Sequence, residues 1–145
     1  MKKELLDQYM DLKKEIQETK ERITKIERQL EKLEAEGTVK DVVSGGAGGI
    51  QHFCIEGIPY PEYAKKRSLL MARKLKLAQF EVEAAEVLSQ IDNYLLSIDD
   101  SHVRRIISLR IIDGLSWNQV AQKMGGGNTE DCVKKTYYRY IKQTR

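Results

Sequence analysis

Lys134, Lys135, Arg139 and Lys142 crowd together near the end of the chain, with Tyr138 among them. Four cations around one aromatic ring suit a polyanion. Lysine and arginine pair with phosphate oxygens or guanine edges, and a tyrosine ring packs on a sugar or a thymine methyl. Asn128 and Thr129 come just before them, placed to meet a phosphate backbone at a helix N-terminus. Ser116, Asn118 and Gln119 carry hydroxyl and amide groups that would anchor a preceding short helix to another phosphate. Double-stranded DNA is the ligand such a set would take. For any one of these side chains, solvation on a helix surface is nearly as good an explanation, so the expectation rests on the group.

Local signals define the elements that must hold these residues. The last segment has Val133, Tyr137, Tyr140 and Ile141 on one helical face and the cations largely on the other. Glu130 and Asp131 stand in its first turn, where acids complement the helix dipole. Before it, Ser116 reads as the N-cap of a short helix through Trp117, Val120, Ala121 and Met124, which Gly125-Gly-Gly127-Asn128 ends. Earlier still, Asp99-Asp100-Ser101 caps a helix carrying Val103, Ile106, Ile107, Leu109 and Arg110, with Gly114 at its end. Helix, short helix, glycine turn and amphipathic basic helix follow helix-turn-helix grammar. A structural three-helix cap has the same pattern. Trp117 is expected to pack as core against Leu109 and Ile112, while Arg104, Arg105 and Arg110 fit surface positions.

Two long helical stretches precede this unit. Residues 2–36 lack Gly and Pro, and Leu5, Tyr9, Leu12, Ile16, Ile23, Ile26, Leu30 and Leu33 recur at gaps of four and three, with Thr19 filling one slot. That is a heptad seam flanked by Glu and Lys. A second seam follows Pro61: Leu70, Leu77, Phe80, Ala84, Val87, Ile91, Tyr94 and Ile98, with Arg73 in the empty slot. An antiparallel helical hairpin within the chain or a coiled coil between chains satisfies both seams. The connector, residues 37–58, holds a glycine-rich run between two β-prone stretches and is expected to form a short hairpin or a loop. It lacks the Gly-Lys-Ser/Thr of a phosphate loop. His52 and Cys54 lack the further ligands of a zinc site.

Composition sets the wider limits. The chain has 145 residues, 32% of them charged, with a formal net charge of +3. Cut at these boundaries, residues 1–60 carry a net −2, residues 61–98 a net +1 and residues 99–145 a net +4. The start of the chain has no apolar signal core, and no apolar run is long enough to span a membrane. Cys54 and Cys132 are widely separated and read as reduced intracellular thiols. The two histidines have no nucleophile motif beside them, so no enzyme, cofactor or metal centre is expected. The fold class these signals give is all-α: residues 1–98 form a coiled-coil or hairpin arm, with the glycine-rich loop at 37–58, and residues 99–145 form a helix-turn-helix domain.

One stretch carries a family likeness. Arg105-Ile-Ile-Ser-Leu-Arg-Ile-Ile-Asp-Gly-Leu-Ser-Trp-Asn-Gln-Val-Ala-Gln-Lys-Met-Gly125 resembles the start of region 4 of bacterial sigma-70-type factors. With Asp41-Val-Val-Ser-Gly45, Ile55-Glu-Gly57 and Pro61-Glu-Tyr63 in order ahead of it, the chain is similar to small phage-encoded sigma-like regulators of the RinA/ArpU type. The resemblance covers about residues 38–143. It implies a phage or prophage transcription regulator in the cytoplasm of a bacterial host, bound to double-stranded DNA, touching RNA polymerase and able to form a homo-oligomer through its helical arm. Two features depart from the sigma pattern: the glycine turn is about one residue longer, and the final helix opens with acids. A DNA-packaging adaptor like a small terminase subunit, and a coiled-coil scaffold without DNA binding, are the alternatives of other classes.

Overall fold

The computed structural model describes the backbone of residues 2–44 and 60–143 and the side chains of residues 2–36 and 61–143. The described chain is all-helical, and no strand occurs among the described residues. In order come α1 (Lys2–Ser44), α2 (Tyr60–Leu96), α3 (Ser101–Ile107), a π-helical segment (Ser108–Ile112) continuing α3, α4 (Trp117–Met124) and α5 (Glu130–Gln143).

α1 runs past Glu36 and through Gly37 to Ser44, so the connector starts later than composition implies. One glycine inside a helix costs about 1 kcal/mol relative to alanine. The strand preference of Val39, Val42 and Val43 is strongly context-dependent. Neither is enough to interrupt a helix already propagating. The rest of the glycine-rich connector, including His52, Cys54 and Ile55-Glu-Gly57, lies outside the described residues. α2 starts at Tyr60, which puts Pro61 in the first turn, where its missing N–H leaves no helical bond unmade.

The chain forms two compact units, Met1–Glu15 with Glu81–Arg145, and Ile16–Phe80. The division falls inside the two long helices.

In unit 16–80, α1 buries Thr19, Ile23, Ile26 and Leu30, the inner positions of its heptad seam. From α2, Leu70, Arg73, Leu77 and Phe80 are half-buried. Polar contacts flank the seam: the Tyr63 hydroxyl donates to Glu34 Oε1 at 2.6 Å and Lys66 Nζ to Gln29 Oε1 at 3.1 Å. Lys74 faces Glu27 at 3.6 Å. The contacting numbers fall on α1 as they rise on α2. The Lys74–Glu27 ion pair is exposed and contributes at most about 1 kcal/mol, so apolar burial is the main source of cohesion.

The unit of residues 1–15 and 81–145 has the larger core. Leu6, Ile91, Ile98, Ile106, Ile107, Ile111, Val120 and Val133 are fully buried, so every described helix contributes to it. On α2 the heptad positions Ala84, Val87, Ile91 and Tyr94 are buried, as is Ile98 just beyond its end. On α1, Leu6 is fully buried and Leu5 only half, a shift of one residue from the seam read in the sequence. This end of α1 has two sets of neighbours. Lys2 Nζ lies 4.9 Å from the centre of the Tyr94 ring on α2, and Lys13 Nζ donates to the carbonyl of Ile112. A face that meets α2 and the C-terminal helices together is wider than a two-helix seam and takes in Leu6. Burial, reinforced by the Asp92 carboxylate, holds the Tyr9 phenol above its ordinary pKa.

Candidate nucleic-acid interface

The three C-terminal helices are set by three different terminating devices. α3 starts at the N-cap Asp100, whose carboxylate accepts from the amide of His102 at 2.9 Å. Its continuation widens into a π-turn in which the Asp113 amide donates to Ser108 O at 3.1 Å, five residues back. Gly114 then turns the chain with φ +69°. The ammonium of Lys13 on the Ile112 carbonyl satisfies an acceptor that the helix end leaves open.

α4 begins with a reciprocal capping box. Ser116 Oγ accepts from the Gln119 amide at 3.3 Å, and Gln119 Oε1 accepts from the Ser116 amide at 2.9 Å. α4 buries Trp117, Val120, Ala121 and Met124. Trp117 is core, as its place in the sequence implies, and its ring also has aromatic and cationic neighbours. Tyr137 meets it edge-on at 5.1 Å, Tyr138 lies 6.0 Å away, and the Arg110 guanidinium covers it at 4.6 Å.

Gly125, Gly126 and Gly127 link α4 to α5, with φ of +64°, +60° and +80°. The Asn128 amide donates to Gly125 O at 3.1 Å, closing a four-residue turn with positive φ at both central positions. That is a type I′ turn, which glycine and asparagine adopt readily. The Asn128 side chain donates to the same carbonyl at 2.6 Å. Thr129 Oγ1 accepts from the Cys132 amide at 3.2 Å and so starts α5.

α5 packs on α3 and α4 through Val133, Tyr137 and Ile141. Its exposed side carries Lys134, Lys135, Tyr138, Arg139 and Lys142. Helical spacing divides these into two ridges. Lys134, Tyr138 and Lys142 stand four residues apart along one, and Asp131, Lys135 and Arg139 along the other. Lys135 pairs with Asp131 at 3.0 Å, with both side chains mostly exposed. Burial, then the charges of Asp7 and Tyr138, raises the Tyr137 phenol far above its ordinary pKa of 10.0, with Arg110 opposing. Tyr137 is therefore a neutral core group.

The sequence-selected residues thus differ in what already occupies them. Ser116 and Gln119 cap α4 and Thr129 caps α5 through their side-chain oxygens, and Asn128 fastens the turn by donating its side-chain amide, so these polar atoms serve the fold. Asn118, Lys134, Arg139 and Lys142 are exposed, and Tyr138 is 46% exposed although two rings flank it. Of the three arginines read as surface residues, Arg110 stacks on Trp117 and donates to Leu115 O at 2.9 Å. Arg104 donates to Ile98 O at 2.7 Å and to Ser101 Oγ at 2.6 Å. Arg105, exposed, reaches Lys123 O at 3.4 Å. Spacing gave no sign of Lys13, whose acceptor lies 99 residues away. Among the described residues no group of three or more His, Cys, Asp or Glu side chains gathers to hold a metal ion, and no helix is long and apolar enough to cross a membrane.

No protein-family model, curated protein or solved structure matches the chain.

Proposed function

We propose that the protein is a phage or prophage transcription regulator in which α4 and α5 form a helix-turn-helix on double-stranded DNA, carried by a helical hairpin of α1 and α2. One observation carries this reading: α5 is fixed through Val133, Tyr137 and Ile141 while its opposite side offers Lys134, Arg139 and Lys142 to solvent. A rigid helix with cations on its free side and an apolar underside suits the major groove, about 12 Å wide. The five-residue link from Gly125 to Thr129 separates α4 from α5 as the motif requires. Caps that fix Ser116, Asn128 and Thr129 also fix the backbone amides at both helix starts, where phosphates dock.

A net +4 over residues 99–145 supports weak binding on its own, with non-specific Kd values of about 10⁻⁴–10⁻⁶ M at physiological salt. Useful affinity needs a second anchor. RNA polymerase, or a second copy bound through the helical hairpin, would supply it. Met71 and Leu75, 67% and 62% exposed one turn apart on α2, favour an apolar contact there.

Fluorescence anisotropy of a labelled duplex, with wild type beside Lys134→Glu/Arg139→Glu, tests the proposal. Wild type should bind and weaken as salt rises. The double variant should lose most of its affinity, and its log–log salt slope should drop by about 1.8 if two phosphate contacts disappear. Equal behaviour of the two proteins would remove α5 from the DNA and leave a protein-docking cap. A ring-sized mass in solution would point to the packaging adaptor instead.

A further inference from the structure

Tyr138 is the only large hydrophobic side chain on the outer side of α5 that is exposed. Its surroundings are not those of a solvated tyrosine. The Tyr137 ring meets it edge-on at 5.2 Å, and Trp117 lies 6.0 Å away. Those two neighbours are buried, at 4% and 8% exposure. Trp117 is in turn covered by the Arg110 guanidinium, which is held by the Leu115 carbonyl. Tyr138 is therefore the outer member of a stack rooted in the core, so little side-chain freedom remains to be lost on binding. Along its ridge Lys134 stands one helical turn before it and Lys142 one turn after. The neighbouring ridge is different: Lys135 is engaged by Asp131.

We propose that Tyr138 is the base-reading residue of α5 and that its ring packs on the 5-methyl group of thymine, while Lys134 and Lys142 hold phosphates on either side. This rests on the DNA-binding reading above. The ring face selects thymine because it has no directional donor for a guanine or adenine edge, and the phenol hydroxyl, which both donates and accepts, does not by itself choose between base edges. The thymine methyl is the apolar feature of the major groove. A pre-positioned ring gains from excluding water from that methyl, and the two ammonium groups set its depth without reading sequence.

The first comparison changes only the DNA, and each Tyr138 variant is read by its preference between the same two duplexes, with its unchanged salt slope reporting that α5 still holds the phosphates. Anisotropy is measured with a duplex of alternating deoxyadenosine and thymidine, and with the same duplex carrying deoxyuridine in place of thymidine, each at two salt concentrations. Wild type should bind the thymine duplex about fourfold more tightly for each methyl covered, the value of one buried methyl at ~0.8 kcal/mol. Tyr138→Phe should keep that preference and Tyr138→Ala should lose it, with the salt slope unchanged in both. Equal, salt-sensitive binding of both duplexes by wild type would overturn the role of Tyr138 and leave DNA binding standing. A thymine preference that survives in Tyr138→Ala would place methyl recognition on another residue and overturn it too. If wild type binds neither duplex at low salt, the DNA-binding reading fails, and the role of Tyr138 with it.

Discussion

At the scale of single residues, the two tyrosines at 137 and 138 divide the work of one helix turn. Tyr137 is buried with its phenol held neutral, and Tyr138 is turned outward. The buried phenol predicts a pH effect. Its folded pKa exceeds the unfolded value of about 10, so the folded state keeps a proton that the unfolded chain gives up. Its stabilising contribution is full below pH 10. Above that it falls by about 1.4 kcal/mol per pH unit until the folded pKa is reached. Thermal melts from pH 8 to pH 11 should show this decline, and Tyr137→Phe should flatten it. Tyr9, shifted the same way, adds a smaller component that Tyr9→Phe isolates. A second residue-scale prediction concerns Lys13. Replacing it with Met keeps the alkyl stem and removes the donor to Ile112 O, which should cost about 1–3 kcal/mol. The emission of Trp117, the only tryptophan in the chain, reports the loss in a urea titration.

At the scale of elements, the link between α4 and α5 gives a graded prediction. Added side chains at Gly125 and Gly127 would meet nothing within 4 Å, and at Gly126 only the Asn128 amide at 3.9 Å. Backbone conformation alone therefore decides the cost. Gly126→Ala should lose about 1–2 kcal/mol, whereas Gly126→Asn, at the first central position of a type I′ turn, should be close to neutral. At Gly125, with φ +64° and ψ −159°, asparagine should be as costly as alanine, because that region is essentially reserved for glycine. Chemical denaturation of the four variants checks the order. These elements also show what can be read from sequence. The buried run Ala84, Val87, Ile91, Tyr94 and Ile98 follows directly from heptad spacing, and the caps at Asp100 and Ser116 follow from residue type. The π-turn at Ser108–Ile112 was not legible, because its residues are ordinary helix and core formers and its geometry is imposed by packing. The continuation of α1 to Ser44 was hidden by a glycine and three valines whose local preferences are smaller than the gain from extending a helix. Leu6 and Leu5 are adjacent leucines, and spacing cannot choose between them without knowing that two surfaces meet there.

At the scale of the whole molecule, the candidate interface is only partly a local property of the last 47 residues. The cations of α5 were visible as composition, but the compact unit that holds α5 also includes the first turns of α1. Lys2 over Tyr94, Lys13 on Ile112 and the Asp7 charge felt by Tyr137 all belong to the same compact unit as α5. Residues 99–145 expressed alone should therefore show a broad, non-cooperative melt and, under the proposed function, weaker DNA binding than the full chain. A sharp melt matching the Trp117 transition of the full chain would show that the three short helices stand alone.

The bond from Lys13 to Ile112 also sets an order of events during synthesis. Its partners are 99 residues apart, and at about 5–20 residues per second the ribosome takes roughly 5–20 s to make the second after the first. During that interval Leu6, Tyr9 and Leu12 have been made but most of the residues they pack against have not. A newly made N-terminal helix with an uncovered apolar face is a substrate for holding chaperones, and on a polysome it stands beside identical helices on neighbouring ribosomes. Slowing translation before Ile112 with rare codons should lengthen that exposure and lower the yield of soluble protein, while the same codons placed after Ile141 should leave the yield unchanged.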